Sequence, residues 1–158
     1  KNHLNKGIAM QEREFVMIKP DSVIRRLIGR ILTRYEEKGL QIIGMKMIEV
    51  KKEQAEELYR EHKGKDFYEG IMNFIVNQPV VVMVLKGNKA IEVTRTMIGR
   101  TRGFEAAPGT IRGDFTLSSS FNVIHAADSP EAAEREIKIF FADNEILTYN
   151  DPNECFRI

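Results

Sequence analysis

Ser120-Phe121-Asn122-Val123-Ile124-His125-Ala126-Ala127-Asp128-Ser129-Pro130 joins an apolar strand to a new helix, and the fold can be read outward from that junction. Phe121, Val123 and Ile124 make the strand apolar. Ser129 has the side chain of an N-cap, and Pro130 suits the first helical position, because proline has no amide to leave unpaired and holds the preceding residue out of helical geometry. His125 therefore stands where strand gives way to helix. Ala126 and Ala127 keep the space around its ring open, and the helix from Pro130 to about Phe141 repeats Glu131, Glu134 and Glu136, so a carboxylate can reach back to the imidazole. An imidazole backed by a carboxylate can be a nucleophile, a general base or a metal ligand.

Upstream, Val80-Val81-Val82-Met83-Val84-Leu85 is wholly apolar and β-branched and closes at Gly87-Asn88, the pattern of a central strand covered on both faces. Near the start, Glu14-Phe15-Val16-Met17-Ile18-Lys19 is a short strand ended by Pro20 and Asp21, which leaves Lys19 at its carboxyl end. From Ser22 to Gly39 the apolar residues Val23, Ile24, Leu27, Ile28, Ile31, Leu32 and Tyr35 follow helical spacing, and Arg25, Arg26, Arg30 and Arg34 read as its solvated face. Leu40 to Val50 is a second strand, with Gly44 marking a bulge. Lys52 to His62 and Phe67 to Val76 form two helices, read as a hairpin projecting from the sheet, and Ala90 to Ile98 forms another with Val93 and Met97 inward.

The order of elements predicts an α/β (α+β) domain of ferredoxin-like βαββαβ type: a four-stranded antiparallel sheet with the helices packed on one face. Residues 1–11 are read as a flexible leader or extension, and residues 12–158 as one domain. With a net charge of +1 there is no bulk basicity for nucleic acid, and no apolar run approaches the ~18 to 20 residues of a membrane span. Cys155 is the single cysteine, so no internal disulfide forms, which suits the cytoplasm.

Residues 100–115 break the pattern: Gly103, Pro108, Gly109 and Gly113 oppose a regular element, and an irregular stretch of ~15 residues in a compact domain is usually functional. Lys19, Arg95 and Arg112 stand at element ends or in loops, where fixed cations can hold phosphate, and Thr101 adds a neutral donor. No Walker loop and no GxGxxG run is present, so side chains rather than a glycine-rich loop must do the holding.

Three blocks, Ile18-Lys19-Pro20-Asp21, Pro108-Gly109-Thr110-Ile111-Arg112-Gly113-Asp114-Phe115 and Asn122-Val123-Ile124-His125 followed by Asp128-Ser129, resemble nucleoside diphosphate kinases in content, order and spacing, over about residues 12 to 150. The resemblance implies transfer of the γ-phosphate of a nucleoside triphosphate to a nucleoside diphosphate, by a ping-pong route through a phosphohistidine. It makes His125 the nucleophile and Glu136 the acceptor for the ring nitrogen that is not phosphorylated. Lys19, Arg95, Thr101 and Arg112 would hold the phosphates. Asn122 and Lys19 would reach the sugar 3′-hydroxyl, Phe67 would stack on the base and Tyr59 would support the site. Mg²⁺ would arrive on the nucleotide rather than on a protein metal site, and the assembly would be a homo-hexamer. The chain departs from the family in two places. Ala126-Ala127 stand where Gly-Ser is usual, the serine being bonded to the supporting glutamate, and Arg102-Gly103 stand where Asn-Pro is usual. Gly103→Pro is accordingly expected to stabilise the loop modestly.

Alone, His125 and Phe67 would more commonly be structural residues; His3 and His62 have no visible partner, and Glu131 and Glu134 read as complements to a helix N-terminus or as solvated. The rival reading, an RNA-recognition module suggested by Arg102-Gly103-Phe104, fails because Glu105 and Pro108 break its motif and the central strand offers no aromatic ring. A nucleotide-binding relative without catalysis is a second rival, which Ala127 favours and the retained His125 and Glu136 oppose.

Overall fold

The computed structural model describes residues 11–152; residues 1–10, with His3, and the tail from residue 153, with Cys155, lie outside the described residues. Val80 to Leu85 form the middle of β3 (Pro79–Asn88), and β1 (Gln11–Ile18) pairs antiparallel with it along its whole length. β1 thus begins at Gln11, the last residue assigned to the leader. β2 (Gln41–Glu49) takes the other edge of β3, and the short β4 (Ile124–Ala126) pairs antiparallel with β1, giving the order β2-β3-β1-β4. The bulge in β2 falls between Ile42 and Gly44, so Ile43 is the extra residue.

Strand alternation divides the core. Val16, Ile18, Val81, Met83 and Leu85 face α2 (Ile28–Lys38), α5 (Ala90–Ile98) and α6 (Ile111–Phe115). Phe15, Met17, Val80, Val82 and Val84 face α3 (Lys52–Leu58), α4 (Tyr68–Ile75) and α7 (Pro130–Phe140). The sheet is therefore ferredoxin-like but covered on both faces, not one: the α3–α4 hairpin lies on the sheet instead of projecting from it, consistent with the two-sided apolarity of β3.

Two local expectations are corrected. The single helix from Ser22 to Gly39 is two: α1 (Pro20–Ile24) ends at a left-handed Arg26, φ 59°, and α2 starts after a buried Leu27, which leaves Ile24 exposed. Its end is as expected, with Gly39 in the left-handed conformation (φ 96°) that caps helices and costs an L side chain most. On α5 Val93 and Met97 do pack against the core, as expected, but only partly buried; the buried face is Ile91, Thr94 and Ile98. The loop contains α6, because Thr110 Oγ1 caps it by accepting from Gly113 N (3.0 Å) while donating to Ala107 O (2.6 Å).

Arg34 leaves the solvated stripe to hold that helix. Its Nη2 donates to Asp114 Oδ2 (2.5 Å), its Nη1 to Gly109 O (3.2 Å), and the guanidinium lies 4.7 Å from the Phe115 ring centre. Glu134 is likewise not simply solvated: it accepts from Arg13 of β1, tying α7 to the sheet.

Candidate active site

The β1–β4 register places Met17 opposite His125 and Ile18 opposite Ile124, which brings Lys19 alongside the segment that leads to the histidine. α7 supplies the carboxylate. Ser129 Oγ caps this helix by accepting from Ala132 N (3.1 Å), Pro130 opens it, and Ala133, Glu136, Ile137 and Phe140 line its buried side. A glutamate on such a face needs a polar partner. It has one: His125 Nε2 lies 2.8 Å from Glu136 Oε1, with the side chains 18% and 4% exposed. An ionised carboxylate only accepts, so Nε2 carries the proton and Nδ1 keeps the lone pair. The second oxygen, Glu136 Oε2, is buried without a hydrogen-bond partner, and Ala127 is itself buried.

Three cations bond to the segment on either side of His125. Arg112, buried, donates from Nε to Asn122 O (3.1 Å), from Nη1 to Gly99 O (3.4 Å) and from Nη2 to Ile124 O (2.7 Å). These bonds fix its fork and leave two of its five N–H groups for a ligand. Burial, and then the neighbouring Arg95, pull its pKa down to about 10. Arg95 donates from Nη1 to Ala126 O (3.3 Å). Lys19 Nζ donates to Asn122 Oδ1 (2.7 Å), and Asn122 Nδ2 donates to Thr101 O (3.2 Å), so the three residues form one chain. Desolvation, with repulsion from Arg112, lowers Lys19 to about 8, against a smaller opposing pull from Asp21.

On the other side, the Tyr59 ring sits edge-on to His125 at 5.8 Å between centroids. Burial first, and then the charge of Glu136, raises its phenol well above the ordinary range. Phe67, 51% exposed, meets His62 at 5.2 Å, and His62 stacks on Tyr59 at 6.0 Å. His62, read as partnerless in the sequence, is therefore part of this wall. Burial chiefly, and the charges of Lys65 and Lys19 besides, hold it below the usual imidazole range. The signal for it was its place between Tyr59 and Phe67. Phe121, expected in the β4 strand, is instead 55% exposed and meets Phe74 edge-on. Among the described residues, no cluster of three or more His, Cys, Asp or Glu side chains could hold a metal ion, and no helix is long and apolar enough to cross a membrane.

A ferredoxin-like sheet carrying an imidazole with one free nitrogen, a buried carboxylate behind it and three fixed cations beside it describes a phosphotransferase. The family model for nucleoside diphosphate kinase matches residues 12–146. The nucleoside diphosphate kinase of Methanocaldococcus jannaschii is 56% identical over 138 residues, 87% of this chain and 99% of that protein. That of Ignicoccus hospitalis is 57% identical, over 86% of this chain and 92% of that protein. Among solved structures, the Halobacterium salinarum nucleoside diphosphate kinase in complex with CDP superposes with a TM-score of 0.91 at 43% identity, covering 94% of this chain and 99% of that one. A transition-state mimic of the Borrelia burgdorferi enzyme with vanadate and ADP gives 0.90 at 36% identity, covering 94% and 97%. The chain belongs to the nucleoside diphosphate kinase family, and it is a phosphotransferase that moves the γ-phosphate of a nucleoside triphosphate to a nucleoside diphosphate.

Proposed function

We propose that His125 Nδ1 is the nucleophile and that residues 12–158 act as one catalytic domain. Nδ1 attacks the γ-phosphorus, the bond to the β-phosphate oxygen breaks, and the nucleoside diphosphate leaves. A second diphosphate then attacks the phosphorus with its terminal oxygen, the phosphorus–nitrogen bond breaks, and the imidazole is returned. A neutral imidazole needs no separate base for this attack, and ionised Glu136 stabilises the positive charge that the ring acquires. The observation that carries the proposal is the Nε2–Glu136 bond of 2.8 Å, which leaves Nδ1 as the free nitrogen.

Lys19, Arg95, Arg112 and Thr101 hold the phosphates and the charge that spreads during transfer. Asn122 and Lys19 take the sugar 3′-hydroxyl, Phe67 stacks on the base, and Tyr59 supports His125 from the hairpin. The half-exposed Phe67 ring fits a stacking platform better than a core residue. Mg²⁺ belongs to the substrate: cationic side chains suit a metal already bound to phosphate oxygens and would repel a bare one. The CDP and ADP bound to the two related enzymes support nucleotides as substrates here. We place the protein in the cytoplasm as a homo-hexamer, with the Arg100 to Pro108 loop near a subunit junction.

The test is to give the protein MgATP without acceptor. An adduct stable to base and labile to acid should form and should be discharged by GDP. An adduct of the same mass on His125→Ala would refute the assignment.

A further inference from the structure

Val123 is buried, β-branched and left-handed, with φ 70°. A branched L-residue is rarely found there, because Cβ crowds the following carbonyl. Arg26 and Lys89 also have positive φ, but they are exposed residues beside helix ends. At Val123 the amide of Ile124 donates to Asn122 O (2.8 Å), two residues back, which closes a three-residue γ-turn of the positive-φ kind, the rare and strained form. Val123 lies immediately before β4 and two residues before His125.

The polar groups of this turn are held from outside. Val123 N donates to Asp21 Oδ2 (3.1 Å). Val123 O accepts from Lys19 N (3.0 Å) and from Ser22 Oγ (2.8 Å). Asn122 O accepts from Arg112 Nε as well (3.1 Å). Strained backbone persists only where its surroundings over-determine it. Two of these holders, Asp21 and Ser22, come from α1, five residues long and too short to be stable alone, so its presence needs another reason. Asp21 is a costly residue to bury, since its Oδ1 has no hydrogen-bond partner while Oδ2 serves Val123.

We infer that Asp21 and Ser22 are positioning residues of phosphotransfer: they latch Val123 in the left-handed turn, and the turn fixes Asn122 against Lys19 and His125 against Glu136. Neither residue touches the reacting atoms. Without the latch, Val123 relaxes towards ordinary backbone, the competent turn becomes a minority conformer, and phosphorylation slows in proportion to its fraction. The inference rests on His125 being the nucleophile.

The experiment measures single-turnover phosphorylation of the full chain by MgATP, with circular dichroism and melting temperature recorded on each variant. Asp21→Ala should lower the maximal rate by about 10- to 100-fold and change the half-saturating MgATP concentration less. Glycine adopts a positive φ without the Cβ penalty, whereas alanine removes nearly as much of the valine side chain and keeps that penalty. Adding Val123→Gly to Asp21→Ala should therefore restore most of the rate, although the melting temperature falls further, while Val123→Ala should restore none. A folded Asp21→Ala protein with wild-type rate overturns the inference, as does equal behaviour of the glycine and alanine double variants. Should Asp21→Ala not fold, the same pair is made on Ser22→Ala, where loss of one of the two donors to Val123 O should slow the reaction by about threefold or more. A wild type that takes up no phosphate at His125 would instead refute the proposed function itself, and so the two failures are distinguishable.

Discussion

Introducing serine at position 127 would supply what Glu136 lacks. Glu136 Oε1 is occupied by His125 Nε2, while Oε2 is buried and has no hydrogen-bond partner. A hydrogen bond to an ionised group contributes about 1.5 to 3 kcal/mol. If all of it appeared in the transition state, where the imidazole becomes cationic, the rate would rise by about 10- to 100-fold. Most of it should not. The carboxylate is already ionised and aligned in the ground state, so a new donor stabilises enzyme and transition state together, and it also draws negative charge away from the Nε2 side. A water bridging to Oε2 would already supply much of the same enthalpy.

Ala127→Ser is therefore expected to raise kcat/KM by less than about tenfold, with half-saturating nucleotide concentrations unchanged and the melting temperature raised. Stopped-flow phosphorylation by MgATP and steady-state turnover with a deoxynucleoside diphosphate, run on both proteins, read the two steps separately. Unchanged turnover with a lowered melting temperature would mean that the hydroxyl does not reach Oε2, and would refute the reasoning.

Glu14 is fully buried and pushed up to about 9, first by desolvation, with the Phe15 amide opposing; it stays protonated in the fold at neutral pH while the unfolded chain releases the proton, so stability falls as pH rises from about 4.5 to 9. Glu14→Gln should thus stabilise by about 3 kcal/mol at pH 7 and by almost nothing at pH 4, read by chemical denaturation across that range. Lys19, lowered to about 8, should lose its charge in the free enzyme as pH rises through that value, giving kcat/KM an alkaline limb near pH 8 that Lys19→Met lacks; a limb unchanged in that variant would assign it elsewhere. Gly103→Pro, expected from the sequence to stabilise, should instead destabilise, because Gly103 N donates to Ser118 O (3.0 Å) and a Cβ there would meet the Thr116 carbonyl; an unchanged or raised melting temperature would count against this.

What could be read from the sequence was what short-range chemistry decides. Ser129 and Pro130 fix the start of α7, Gly39 the end of α2, and the unbroken apolar run the place of β3 at the middle of the sheet. The break between α1 and α2 was hidden because a left-handed arginine marks it, with neither glycine nor proline. The helix in the loop was hidden for a different reason: besides the local Thr110 cap, it is held by Arg34, eighty residues from Asp114 in the chain. Phe121 was misplaced because an alternating apolar pattern says nothing of the γ-turn that delays β4 to Ile124.

The site shows the same division. His125 and Glu136 are eleven residues apart and joined by a strand end and one helix, so their meeting follows from local rules. Their relation to Lys19 and Arg112 does not, and yet the three blocks that carry the resemblance are the ones that meet. The reason lies in the register. Pairing Ile18 with Ile124 places the chain just after β1 beside the chain just before β4, and the fork of Arg112 then spans the carbonyls of Asn122 and Ile124 on either side of Val123. One residue of slip between β1 and β4 would turn His125 to the other face of the sheet and part Lys19 from Asn122. The strained valine pins that register, since Lys19 N, Asp21 and Ser22 all hold its backbone, and so the blocks specify the alignment of the two strands as much as they supply the chemistry.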